Sequence, residues 1–93
     1  MTLFCVEIRS PSEQVFKGDV QMIIAPGSDG DLGLLANHMP IITMLRQGQI
    51  ILKMPNGTPD QSFAIDGGYL SMANDLCSIL TVDGSTASDD VQR

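Results

Sequence analysis

The chain has few cations: five Lys and Arg stand against eleven Asp and Glu, for a formal net charge of -6. Nucleic-acid binding relies on clustered Lys and Arg that release counterions from phosphate, so this balance argues against it. It equally disfavours adsorption to an anionic membrane surface. Long hydrophobic runs are also missing. No stretch approaches the ~18 apolar residues of a membrane span, and the opening MTLFCVEIRS lacks the basic segment and sustained apolar core of a secretory signal. Direct membrane insertion is therefore not expected. Cysteine is scarce: Cys5 and Cys77 are the only two, at a spacing that suits no zinc site. Without a secretory signal they read as free, mostly buried thiols rather than a disulfide. There is a single histidine, His38. A histidine base needs a nucleophile and an orienting group, and neither a Gly-x-Ser-x-Gly elbow nor a reactive-cysteine context is present. No catalytic residue is expected, and His38 before Met39-Pro40 reads as a polar residue closing a loop.

What is present is apolar alternation. At 93 residues, with 43% apolar residues and a mean hydropathy of +0.13, the chain is one domain with one core. Some of its apolar surface is expected to meet a partner. Phe4, Val6 and Ile8 alternate with Cys5, Glu7 and Arg9; Val20, Met22 and Ile24 precede Pro26-Gly27; Ile50, Leu52 and Met54 precede Asn56-Gly57; Leu76, Ser78, Leu80 and Val82 precede Asp83-Gly84. Each set is expected to form one face of a strand. Asn56-Gly57 is the clearest hairpin turn, since a type I′ turn needs two residues tolerant of positive φ. Pro55 and Pro59 flank it, which puts the neighbouring strand ends at an edge or already in the loop. Gly67-Gly68 and Asn74-Asp75 mark further reversals. The pattern predicts an all-β fold of about eight to ten short strands over residues 1–83, packed as a small β-sandwich or flattened barrel. Residues 84–93 read as a polar tail, in which Ser88-Asp89-Asp90 would cap a helix near Val91 that the chain ends too soon to stabilise.

The run GSDGDLGLLANHMPIIT (27–43) invites a ligand-binding reading that its spacing does not support. Asp29-Gly30-Asp31 lacks the later oxygen ligands and the terminal bidentate acid of a calcium loop. Gly27, Gly30 and Gly33 recur every third residue, which is not a dinucleotide fingerprint, and no helix follows to hold phosphate. No metal or cofactor is expected. Leu52-Lys53-Met54 resembles the modified lysine of biotinyl and lipoyl carrier domains, which gives an alternative reading of the chain as a carrier. In those modules the lysine projects from an exposed hairpin tip, whereas Lys53 lies inside an alternating run before Pro55.

GSDGDLGLLANHMPIIT, then Gly48-Gln49-Ile50, then IDGGYLSMANDLCSILTVD, strongly resemble the epsilon subunit of F-type ATP synthases, called delta in mitochondria. The likeness is collinear from VEIRSPSEQVFKGDV onward. The resemblance implies an N-terminal β-sandwich at the foot of the central stalk, bound to the gamma subunit and to the polar loops of the membrane rotor ring of c subunits. It implies no catalytic residues and a peripheral position at the cytoplasmic face of the bacterial inner membrane. Asp31 matches the acidic position of the family's ring-facing loop, with Ser28, Asp29 and Gly30 beside it, and family rings present basic side chains there. Ser10, His38 and Thr43 match positions turned toward gamma, with Met39 and Met44 as adaptable apolar neighbours. Most members continue past the position of Asp89-Asp90-Val91 into a helical hairpin. This chain ends there, as a naturally short form or as the N-terminal piece of a longer one.

Overall fold

In the computed structural model, which describes residues 2–81, the chain forms nine strands and no helix among the described residues. They are β1 (Phe4–Arg9), β2 (Gln14–Val20), β3 (Met22–Gly27), β4 (Gly30–Leu35), β5 (Ile41–Leu45), β6 (Gly48–Lys53), β7 (Gln61–Ile65), β8 (Gly68–Ala73) and β9 (Leu76–Thr81). The expectations for the tail and for a cap near Val91 fall outside the described residues. The strands follow one hydrogen-bonded path, β2-β1-β9-β8-β5-β3-β6-β7, with β4 on the free side of β3. β1 runs parallel to β9, so the first strand is locked beside the last. Every other pairing is antiparallel.

Two layers result. β2, β1, β9, β8 and β5 form one, and β4, β3, β6 and β7 the other; among the described residues the one ladder pairing between them is Gly27 with Leu45. At the opposite edge the layers close through side chains, where the rings of Phe16 and Phe63 meet with centroids 5.7 Å apart and tilted by 58°. That geometry suits the aromatic quadrupole. The product is the expected sandwich or flattened barrel, with a core made from the facing sides. Phe4, Val6, Ile8, Leu70, Met72, Cys77 and Ile79 come from one layer and Ile23, Ala25, Leu34, Ile50, Leu52, Phe63 and Ile65 from the other, all buried.

The turn chemistry follows the sequence. Asn74 and Asp75 both take positive φ (53° and 58°) in the two-residue link between Ala73 and Leu76. Asn56 and Gly57 do the same (58° and 75°), closed by the Thr58 N–H donating to the Pro55 carbonyl at 3.1 Å. That turn sits inside a longer loop, because the β6–β7 ladder starts only at Leu52 and Gln61. Gly68 is required for a different reason: it crosses the β9 backbone so closely, at φ +155°, that a Cβ would run into the Leu80 carbonyl oxygen.

Two of the four alternating sets face the other way. Val20 ends β2 pointing inward, but the chain bends at Gln21, whose N–H donates to the Lys53 carbonyl at 2.8 Å, and enters the second layer. The bend resets the parity, so Ile23 and Ala25 face the core while Met22 and Ile24 lie on the outer side. Met22 finds a seat there across Gly33, where a Cβ would come within 2.8 Å of its terminal methyl. In β9 the set Leu76, Ser78 and Leu80 is the outward face, and Cys77, Ile79 and Thr81 are buried. Both cysteines are free, Cys77 fully buried and Cys5 half-buried.

Gly68→Ala should destabilise the fold by about 2–3 kcal/mol, the range of an overpacked or strained site; equilibrium denaturation that shifts by less than about 0.5 kcal/mol would contradict the close approach. Burial pushes the Cys77 thiol up from its ordinary 9.0 to about 12. Between those two values the unfolded state binds fewer protons than the folded one, so stability is full below about pH 9 and falls as pH rises toward 12. The slope is at most about 1.4 kcal/mol per pH unit. Denaturation of wild type and Cys77→Ala from pH 8 to pH 11 isolates the effect: the wild-type advantage should shrink as pH rises, and a constant difference would show that the thiol ionises inside the fold.

Candidate functional site

Strand register divides the molecule into two ends. Gly27 and Gly30, Leu45 and Gly68, and Gly68 and Thr81 are paired at one end; Met22 and Leu35, Ile41 and Met72, and Ala73 and Leu76 are paired at the other. Ser28 and Asp29 form the tip of the β3–β4 hairpin at the first end. Neither has positive φ, so the left-handed step falls on Gly30 at +133°. Gly27 is confined beneath the tip, since a Cβ there would meet the Gly30 carbonyl oxygen at 2.7 Å.

The Asp31 side chain is not free at this tip. Its Oδ1 accepts from the Arg46 guanidinium at 2.8 Å. Arg46 Nε donates to the Gly27 carbonyl at 3.1 Å, and its backbone N–H donates to the Pro26 carbonyl at 2.8 Å. The Ser28 N–H completes the arrangement by donating to the Met44 carbonyl at 2.9 Å. Asp29 is exposed, with no ion pair or hydrogen bond among the described residues. Ser28, Asp29, Gly30 and Asp31 are thus brought together on one exposed tip.

Ser10 lies at the same end, just past β1, and is buried. Its hydroxyl donates to the Glu13 carbonyl and accepts from the Glu13 N–H, both at 3.2 Å, closing the β1–β2 turn. His38 lies at the opposite end, beyond β4, which at about 3.3 Å per residue puts it roughly 20 Å from the tip. It is exposed, with Nδ1 2.7 Å from the Met39 carbonyl. The loop that carries it is anchored by the Asn37 N–H donating to Asp75 Oδ1 at 2.6 Å, with Asn37 at φ 66°. Thr43 lies mid-strand in β5, half-buried on the side of Ile41 and Leu45. The three positions thus fall at one end, the other end and the middle of the fold.

A continuous surface feature lies apart from all three. On the outer face of the first layer, Met44, Tyr69, Leu80 and Arg9 form one row across β5, β8, β9 and β1, with Ile42, Ser71, Ser78 and Glu7 in the next. Ile42 is 81% exposed, and Met44, Tyr69, Leu76 and Leu80 lie between 41% and 56%. A shallow groove runs between Ile42, Tyr69 and Leu80 over the serines. The charged margin is satisfied internally, with Lys17 Nζ 3.6 Å from Glu7 and Arg9 donating to Gln14 at 3.4 Å. Contiguous apolar surface of this kind marks an interaction face. Alternation in the sequence located these residues but not the side they face, and the 15 positions separating Arg46 from Asp31 carry no local signal.

Lys53 closes the last rung of β6, opposite Met22, with its Nζ 2.9 Å from Asp60. Being in the ladder rather than on a projecting tip, it lacks the placement a carrier lysine needs. Among the described residues no group of three or more His, Cys, Asp or Glu is arranged to hold a metal ion. They include no helix long and apolar enough to cross a membrane.

The family model described as the ATP synthase delta/epsilon chain β-sandwich domain matches residues 3–87. An ATP synthase epsilon chain of Caulobacter vibrioides is 39% identical over 71 residues, covering 76% of this chain and 80% of the relative. One from Brevibacillus brevis is 32% identical over 94 residues, covering the whole of this chain and 70% of the relative. Among solved structures, a chain of the Euglena gracilis mitochondrial ATP synthase (OSCP/F1/c-ring) superposes with a TM-score of 0.88 at 19% identity, over 99% of this chain and 57% of that one. A chain of the Tetrahymena thermophila mitochondrial ATP synthase (central stalk/c-ring) gives 0.72 at 19% identity, over 85% and 63%. At that identity the two structures speak for the fold alone.

Proposed function

The chain belongs to the delta/epsilon β-sandwich family of the ATP synthases, and on that premise we propose that it is a non-catalytic rotor subunit of a proton-translocating F-type enzyme. It binds the gamma subunit through the outer face of β5, β8 and β9 and seats the tip of the β3–β4 hairpin on the ring of c subunits. Its place is peripheral, at the cytoplasmic face of a bacterial inner membrane, held there through the complex. The observation that carries this reading is the outward apolar face around Ile42, Tyr69 and Leu80, which a chain working alone has no reason to expose.

The arrangement of the two surfaces supports the division of labour. A hairpin tip on the ring puts the Leu45 end of β5 nearest the membrane and the Ile41 end farthest from it, so a stalk standing on the same ring would lie along the apolar face and reach His38 at the far end. Thr43 lies on the opposite side of β5 from that face, with Ile41 and Leu45, and would bear on the contact only through the strand's backbone. Ser10, whose hydroxyl is engaged in its own turn, would contribute the shape of the β1–β2 turn rather than a polar bond. Coupling would then require only stiffness, which a densely packed two-layer core provides.

Ile42→Asp should weaken gamma binding by at least about 2 kcal/mol, since it puts a charge at the centre of a desolvated face. His38→Ala should cost about 1 kcal/mol or less as a rim residue. Titration calorimetry of the chain against purified gamma decides this, and equal affinities for wild type and Ile42→Asp would remove the apolar face from the interface. For the ring, Asp31→Lys should impair ATP-driven pumping in the reconstituted complex more than Asp31→Ala, because with Asp29 and Arg46 it turns the tip net positive toward basic loops, whereas alanine only leaves it neutral. Indistinguishable pumping by the two variants across a range of salt would contradict ring contact at this tip.

A further inference from the structure

We infer that Arg46 is a positioning residue for ring seating, fixing both the place and the net charge of the β3–β4 tip. This rests on the ring contact proposed above. Three groups of Arg46 reach the hairpin: its N–H to the Pro26 carbonyl at 2.8 Å, its Nε to the Gly27 carbonyl at 3.1 Å and its guanidinium to Asp31 at 2.8 Å. With the Ser28 N–H on the Met44 carbonyl, the start of the β5–β6 turn grips the hairpin on its backbone and on a side chain at once. The planar fork of guanidinium suits that task, because two of its donors point to separate acceptors in a fixed geometry.

The electrostatic consequence is specific. Asp29, Asp31 and Arg46 leave the tip one net negative charge, and Asp31 is already neutralised by contact. The carboxylate free to meet a cation is therefore that of Asp29, which has no partner among the described residues. Asp31 acts as the anchor by which Arg46 holds Asp29 in place. The Arg46 side chain is half-exposed, so replacing it removes the two side-chain arms of the grip, leaving the backbone bond to Pro26, without opening the core.

The test uses the full chain and the reconstituted complex, with Arg46→Met and Arg46→Lys. In the Met variant the Ser28 and residue-46 amides should exchange about tenfold faster, as expected for a loosened local element. Doubling the net negative charge of the tip should make the salt dependence of binding to a stalk–ring complex depleted of this subunit about twofold steeper. ATP-driven pumping should fall. The Lys variant should recover the wild-type salt dependence but only part of the amide protection, since an ammonium cannot reproduce the fork. Wild-type amide protection in Arg46→Met would overturn the grip. A loosened tip with unchanged pumping and salt dependence would overturn its part in seating. Failure of the wild-type chain itself to restore pumping would remove the ring contact, while the exchange comparison would still decide whether Arg46 holds the hairpin.

Discussion

One corner holds the two layers in register: the end of β3 against the end of β5. Only there does the hydrogen-bonded path pass from one layer to the other, through a single paired position, Gly27 with Leu45. The backbones must approach closely, and the residues present allow it. Gly27 has no room for a Cβ beneath the Gly30 carbonyl, and Gly48 brings its Cα side against Pro26, where a Cβ would lie 3.0 Å from the ring. Because so few main-chain bonds make this join, the Arg46 side chain carries weight that an exposed arginine usually lacks.

The fold was legible wherever local chemistry decides it. Asn56-Gly57 and Asn74-Asp75 turn because both residues of each pair tolerate positive φ, and period-two alternation identifies strands whatever their partners. It cannot say which side of a strand is inside. For β1 and β6 the apolar set was the core set; for β9 it was the outer set, because Cys77, Ile79 and Thr81 fill the interior equally well. For β3 the parity changed at Gln21, where the chain leaves one layer for the other. These failures have a common cause: burial is decided by the opposing layer, which lies far away in sequence.

The candidate site was less legible. The family likeness pointed to the tip at Ser28–Asp31 and to Ser10, His38 and Thr43, but nothing in the residues revealed that Ser10 is occupied by its own turn or that His38 stands at the opposite end from the hairpin. The pairing of Asp31 with Arg46 joins positions brought together only by the β3–β5 corner. An acidic loop read from sequence looks like two free carboxylates, while the folded chain offers one.

That distinction changes how an acidic tip can serve a rotating contact. Exposed ion pairs contribute little to affinity, typically about 0–1 kcal/mol, and are screened by salt. A loose, doubly charged loop would add long-range attraction but would yield under torque, because its carboxylates could follow the partner without moving the domain. Holding one carboxylate with an internal arginine gives up part of that attraction and ties the other to the backbone of the β3–β5 corner. On the proposed seating, force applied at Asp29 would pass through the Arg46 contacts to Gly27 and Pro26 and so into both layers at once, which is the mechanical condition for a sandwich to turn with whatever it is seated on.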